Sequence, residues 1–377
     1  MPHEGISRRH YLRLGLGVGV GALVAACAPA SPPAAPAATA LPAATTAPAA
    51  TTAPAAAGAT PTSAPAAARP SATSMRMLFN TSADPAFVPD FAAFRALKDQ
   101  SGVSVEMQQI SGADIAIKSI VAGQVDVALA SLASGILAVG QGQKVRAVVP
   151  ESSAPYFSLI TTTDVKDWPD LKGKRIGITA TSDGSYWTTV LQLRKYNVDP
   201  ESVDWVTVRG TPARVEAMLA GKIDAAQVQV GGAQTLLGDP RFKRFAQVGK
   251  DFPNLLFNVF WASESFVRDH GDVLQLFADQ EMQAHRLVQD KATFLQIAPR
   301  VLEGAPDQAS LSQAYDIVKD MNIWDPDEAR WNAEAGNFAA QTLADFQAVE
   351  KFVPFADWAT TQFVDTARQK LGPYRAA

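Results

Sequence analysis

Two seven-residue phrases, nearly alike and far apart in the chain, constrain its fold more than anything else in it. Ala122-Gly123-Gln124-Val125-Asp126-Val127-Ala128 and Ala220-Gly221-Lys222-Ile223-Asp224-Ala225-Ala226 each follow a helical pattern and each run through a short apolar strand into a small-residue loop. The glycine stands where a C′ glycine ends a helix. Two copies are too few for a solenoid. They fit two similar α/β lobes, each with a loop at the carboxyl end of the same strand, which is where open α/β sheets bind ligands. A cleft between two lobes follows.

The fullest corner of this kind runs from Leu171 to Ala233. Leu171-Lys172-Gly173-Lys174-Arg175-Ile176-Gly177-Ile178-Thr179 reads as a turn and a strand, and Ala180-Thr181-Ser182-Asp183-Gly184-Ser185 as a loop leading into a helix from Tyr186 to Tyr196. Loop hydroxyls and the free N–H groups of a helix start can grip a polar or anionic group; an ordinary βα turn with a Ser cap is the alternative. Pro212 to Ala220 then reads as a helix, Lys222 to Val230 as a short strand, and Gly231-Gly232 as a break.

At the N-terminus, Ser7-Arg8-Arg9-His10-Tyr11-Leu12-Arg13 has the twin-arginine export pattern, and the apolar run Leu14 to Ala22 behind it is too short to span a bilayer. Leu23-Val24-Ala25-Ala26-Cys27 reads as a lipobox. Residues 1–26 are therefore expected to be a signal peptide and Cys27 a lipidated residue that anchors the chain to a membrane. The stretch up to Ser74 is almost wholly Ala, Pro, Thr and Ser. Such a composition buries too little apolar surface to offset ordering entropy, so residues 27–74 are expected to be a disordered tether with a reach on the order of 100 Å.

Beyond Cys27 there is no cysteine, and only His270 and His285 remain, which excludes disulfide and thiol chemistry and argues against a histidine-based metal site or catalytic triad. A net charge of −4 speaks against nucleic acid as a partner. No cofactor is expected. From Met75 to Val149 the patterns alternate as strand 75–79, helix 84–99, strand 103–110, helix 113–122, strand 125–130, helix 131–139 and strand 145–149. This βαβαβ order predicts a mostly parallel sheet. Residues 151–163 and 257–262 read as crossings. The expected division is lobe 1 over 75–157, lobe 2 over 158–256, and a return over 257–377 whose helices pack back on lobe 1.

These motifs resemble a known family. Ala122 to Ala128, Asp170-Leu171-Lys172-Gly173-Lys174-Arg175-Ile176-Gly177, Ser182-Asp183-Gly184-Ser185-Tyr186 and Leu219 to Ala226 are similar, in order and spacing, to the substrate-binding proteins of ABC importers for aliphatic sulfonates, taurine, nitrate and thiamine-pyrimidine precursors. The resemblance covers roughly Met75 to Gly372. It implies an α/β, two-lobed type II periplasmic-binding-protein fold with a ligand cleft between the lobes. It further implies a monomer that closes on a small molecule, docks on an ABC permease outside the cytoplasm and performs no catalysis. An enzyme on the same fold, dehydratase-like, or a ligand-sensing module are the alternatives.

Carried over residue by residue, the resemblance places Ser182, Gly184, Ser185, Tyr186 and Gln229 at the lobe 2 side of the pocket and Asn80, Thr81, Ser131 and Ser134 at the lobe 1 side. Tyr186, Trp187 and Trp261 are candidates to stack on a planar ligand, Trp187 equally a core residue. Where the family often has an aromatic residue, an acid and a proline after the second strand, this chain has the neutral Gln229-Val230-Gly231. Asp183 reads as a solvated helix cap, or else as an inward acid favouring an amine-bearing or zwitterionic ligand. Arg209 and Arg214 read as a solvated surface pair, with a carboxylate or sulfonate clamp as the alternative.

Overall fold

The computed structural model describes residues 70–80 and 83–376. The expected signal peptide, Cys27, most of the expected tether and Thr81 lie outside the described residues. The described residues ahead of Met75 belong to the folded part. Ser71 donates its backbone N–H to Asp272 Oδ2 at 2.6 Å and its hydroxyl to Asp272 Oδ1 at 2.5 Å, so the last residues assigned to the tether are held to the folded part.

Ten strands form two five-stranded sheets. β1 (Ser74–Phe79), β2 (Ser104–Gln109), β3 (Val127–Ser131), β4 (Val145–Pro150) and β10 (Asn258–Ser263) make the first, in the order β2-β1-β3-β10-β4. β5 (Ser158–Thr162), β6 (Arg175–Ile178), β7 (Asp204–Thr207), β8 (Ala225–Val228) and β9 (Phe242–Gln247) make the second, in the order β7-β6-β8-β5-β9. The two sheets share one plan. β1 pairs parallel with β2 and β3, as β6 does with β7 and β8. In each sheet the strand that arrives by crossing, β10 or β5, runs antiparallel to both its neighbours. Antiparallel insertion is what lets a strand enter a sheet from the cleft side, where the parallel strands end.

Both repeated phrases do the same local job. Gly123 and Gly221 take φ of 68° and 65°, the left-handed turn that ends each helix without a Cβ penalty. The cores differ. Lobe 1 has one continuous core that takes in the C-terminal segment through Phe277, Trp324, Trp331 and Trp358. Lobe 2 has two smaller clusters, one around Met218 and Ile223 and one around Leu171 and Leu193. Trp187, Leu191 and Val230 of lobe 2 belong to the lobe 1 core, so the lobes are packed against each other.

One element departs from the sequence reading, and two more carry no pattern that is read there. Gly231-Gly232 is no break but lies in the helix Val230–Leu237. The glycines are there for close approach, since a Cβ on Gly232 would lie 2.4 Å from Thr211 Cγ2. β9 carries Lys243 and Arg244 on a half-buried edge strand, where charge blunts edge pairing and hides the apolar alternation. The helix Lys291–Val301 holds Pro299 near its end. Among the described residues no helix is long and apolar enough to cross a membrane.

Candidate functional site

The carboxyl ends of all six parallel strands open onto one cavity between the lobes. Asn80 follows β1, Ser111 follows β2 and Ser131 ends β3; Thr179 follows β6, Gly210 follows β7 and Gln229 follows β8. The antiparallel strands start where these end, so Asn258 at the head of β10 and Tyr156 and Phe157 just before β5 complete the wall with Phe257. The space open to the centre of a water-sized sphere is about 30 Å³, against the roughly 10–15 Å³ that one water needs. The cavity fits only a group of a few atoms. A wider groove of about 450 Å³ adjoins it and shares Thr211 and Gln229.

Arg214 is the positive charge among the residues lining the cavity. It is 2% exposed, so the surface reading of this residue is corrected. It stands one turn into the helix Thr211–Leu219 and faces the sheet. Its Nε donates to the Gln227 carbonyl at 2.9 Å, Nη1 to Thr179 Oγ1 at 2.7 Å and to the Val208 carbonyl at 3.3 Å, and Nη2 to Thr211 Oγ1 at 3.2 Å. A guanidinium has five donors, so one N–H on Nη2 is left over. Burial lowers its pKa to about 10, with Asp183 acting the other way, and it stays charged at neutral pH. Arg209 is the surface residue of the two, half-exposed and 3.7 Å from Asp114.

Asp183 is also buried, at 7%, where a solvated cap was expected. It does cap the helix Gly184–Lys195, accepting from Ser185 N and Ser185 Oγ, each at 3.0 Å. Its second oxygen reaches across the cleft to Ala113 N at 3.0 Å. With Arg214 and Asp183 both at the cavity, the site holds one charge of each sign. Asn80 Oδ1 is a buried acceptor with no partner among the described residues. Tyr156 accepts from Asn258 Nδ2 at 2.5 Å, and burial keeps its pKa far above the ordinary range, so the phenol is neutral.

Of the residues singled out in the sequence, Asn80, Ser131, Gly184 and Gln229 line the cavity. Ser134 and Ser182 meet across the lobe boundary instead, Ser134 Oγ donating to the Ser182 carbonyl at 2.5 Å and sharing a 2.8 Å bond with Ser131 Oγ. Ser185 is fully buried, its hydroxyl accepting from Thr179 N at 2.9 Å, and it shapes the loop from behind. Tyr186 turns away to meet Trp205 edge-on at 4.9 Å. Trp261 is 0% exposed and sits in the lobe 1 core against Gly135 and Trp358, which corrects its placement at the pocket. Trp187 is core, tilted against Phe257 at 5.6 Å. Sequence reasoning missed Tyr156, Phe257, Asn258 and Thr211. Tyr156 and the Phe257-Asn258 pair stand at the two crossings, which was the available signal. Among the described residues no group of three or more His, Cys, Asp or Glu side chains is placed to hold a metal ion.

Residues 99–285 match the family model described as NMT1/THI5 like. No curated protein sequence matches the chain. Among solved structures it is similar to the alkanesulfonate-binding protein SsuA from Xanthomonas axonopodis pv. citri bound to MOPS, with a TM-score of 0.63 and 18% identity over 78% of this chain and 100% of that one. It resembles the ABC importer substrate-binding proteins and has the periplasmic-binding-protein fold. Another structure with this fold, the periplasmic nitrate-binding protein NrtA from Synechocystis PCC 6803, gives a TM-score of 0.65 and 11% identity over 81% of this chain and 90% of that one. The fold is not confined to receptors. DszB, an enzyme whose mutant was solved with biphenyl-2-sulfinic acid, gives 0.54 and 13% identity over 79% of this chain and 100% of that one.

Proposed function

We propose that this protein is an extracytoplasmic solute receptor, tethered to the membrane through a lipid on Cys27, that closes its lobes over a small polar organic molecule and delivers it to an ABC permease. The ligand is of the sulfonate, carboxylate or pyrimidine type, with a polar group of a few atoms in the cavity and the rest in the adjoining groove. The observation that carries this reading is the pairing, in one interlobe cavity, of a leftover Arg214 N–H with the unpartnered acceptor Asn80 Oδ1. A ligand there needs an acceptor for the first and a donor for the second. Two helices that start at the cavity, Leu132–Gly140 and Thr211–Leu219, have no side-chain cap, and their N–H groups favour an anionic or carbonyl oxygen. Asp183 offsets the charge of Arg214, so the site suits a monoanion, zwitterion or neutral amide better than a multiply charged anion. Among the described residues neither histidine nor cysteine lines the cavity, which supports capture over imidazole or thiol catalysis.

The experiment is to release whatever copurifies with the protein, identify it by mass spectrometry, and follow with thermal-shift titrations of sulfonates, nitrate, aromatic carboxylates and pyrimidines. A compound recovered unchanged after incubation, with a raised melting temperature on adding it back, is the expected result. Conversion to product would replace the receptor reading with an enzyme on this fold.

A further inference from the structure

Two aspartates each hold two helices at once, one in their own lobe and one across the cleft. Asp183 Oδ1 caps its own helix Gly184–Lys195, and Asp183 Oδ2 accepts from Ala113 N, the first residue of the lobe 1 helix Ala113–Val121. That helix cannot cap itself. Its N-cap is Gly112, which has no side chain, and a Cβ there would lie 2.8 Å from Nη1 of Arg209, a lobe 2 residue packed over it. The other seam mirrors this one. Asp84 Oδ1 accepts from Ala86 N at 3.1 Å to cap its own short helix, and Asp84 Oδ2 accepts at 2.8 Å from Gly231 N in the lobe 2 helix Val230–Leu237. The N-cap of that helix, Gln229, makes no side-chain cap bond. Both aspartates are at least nine-tenths buried.

We propose that Asp183 and Asp84 are reciprocal positioning residues for lobe closure: each gives a helix of the opposite lobe the N-terminal cap it lacks, and opening the cleft strips the cap from both. This rests on reading the protein as a receptor that closes, and it adds to that reading where closure is held. A carboxylate with two oxygens can satisfy two helix starts only while the lobes touch, since the distance to the second start depends on the interlobe angle. Because Asp183 lies in the loop that lines the ligand cavity, a ligand that moves this loop acts directly on one of the two caps.

The test reads the interlobe distance without ligand, so it stands or falls apart from the ligand class. Full-length protein with Cys27→Ser carries spin labels at Asp99→Cys in lobe 1 and Glu201→Cys in lobe 2, both exposed positions. Measurements are made at pH 8, above the value of about 6 to which burial pushes Asp84, so that this carboxylate is ionised. Ala113→Pro and Gly231→Pro each remove the cross-cleft N–H at first-turn positions where proline is tolerated in a helix. They also set a ring carbon against the aspartate at a buried seam, so the aspartate variant, which adds no bulk, is the deciding arm. Asp183→Asn keeps one acceptor for its own helix and turns an amide donor toward Ala113. Each variant is expected to lower the ratio of closed to open molecules roughly tenfold, the usual worth of a helix cap, with circular dichroism unchanged. A distance distribution identical to the parent in Asp183→Asn would overturn the proposal, and so would a shift confined to the proline variants, since their added bulk would then account for it. So would a lower melting temperature with no change in distance, since the caps would then serve folding alone.

Discussion

Arg76 clamps Asp126 in lobe 1 as Arg175 clamps Asp224 in lobe 2. In the first pair Nη2 and Nε donate to the carboxylate at 2.6 and 3.1 Å, and in the second at 2.7 and 3.0 Å. In both, the carboxylate also accepts the backbone N–H of its arginine, at 2.8 and 2.9 Å, and the arginine reaches the carbonyl of the glycine three residues before the aspartate. The repeated phrase is thus a brace between the first and third parallel strands of each lobe. It stands at the end of the sheet away from the cleft, and the loop after the strand does the binding.

Because both clamps are partly exposed, solvent screens them and their worth is modest. Asp224→Ala is expected to lower the melting temperature by no more than about 3 °C, and Asp224→Asn by less, since an amide oxygen can still accept from Arg175 N. Raising the salt should narrow the gap between parent and Asp224→Ala in differential scanning calorimetry. A drop in Asp224→Asn equal to that in Asp224→Ala would show that charge, and not backbone acceptance, carries the brace.

Arg214 should behave in the opposite way, being buried and donating four hydrogen bonds. Arg214→Met leaves the Gln227 carbonyl and the Thr179 and Thr211 hydroxyls without their donor, a loss on the order of 3 kcal/mol. Arg214→Lys keeps the charge but not the planar fork, and three donors on one nitrogen cannot reach acceptors spread around a guanidinium. Urea denaturation should therefore rank the parent above Arg214→Lys and Arg214→Lys above Arg214→Met. Any ligand that raises the melting temperature of the parent should fail to do so for both variants. A variant that folds normally and still binds would remove Arg214 from the site.

The architecture was legible in the sequence because its signals are local. The alternation of strand and helix patterns, the αL glycines and the two departures from alternation each depend on neighbouring residues. The cavity lining was legible at strand ends and one helix start, where the resemblance placed Asn80, Ser131, Gln229 and Gly184. Trp261 and Arg214 were misplaced for a common reason: each is amphipathic, and which face it presents is decided by a distant neighbour. Trp261 is drawn into the core by the gap at Gly135, and Arg214 is drawn inward by three carbonyl and hydroxyl acceptors from strands that sequence spacing does not bring together. The shared caps at Asp84 and Asp183 were illegible because each joins residues of opposite lobes.

Gly135 offers a direct check on that packing. A Cβ there would sit 2.0 to 2.4 Å from three atoms of the Trp261 indole. Gly135→Ala is therefore expected to destabilise the protein by at least about 1–3 kcal/mol, the cost of overpacking a filled core. Trimming the indole in Gly135→Ala/Trp261→Phe should recover part of it. A fully additive double mutant in urea denaturation would mean that the two residues do not meet.

The last expectation concerns pH. Asp90, Glu151 and Glu281 are all at most 1% exposed in lobe 1. Burial raises the pKa of Asp90 to about 8, partly countered by His285, and raises those of Glu151 and Glu281 well above the ordinary range, with Asp90 adding to both. His285 bonds Glu328 beside them; burial alone would lower its pKa, but Glu328, Asp90 and Asp325 together raise it. The unfolded chain releases the proton of an ordinary aspartic acid near pH 4, whereas folded Asp90 keeps its own to about pH 8. Between those values the folded state binds more protons, so stability falls as pH rises. The contribution is whole below about pH 4 and gone above about pH 8. The melting temperature should accordingly decline from pH 5 to pH 8, and Asp90→Asn, which keeps the shape and cannot ionise, should flatten that slope. A melting temperature that rises across this window, or the same slope in Asp90→Asn, would mean that Asp90 is ionised in the folded protein and that a cation or solvent reaches it.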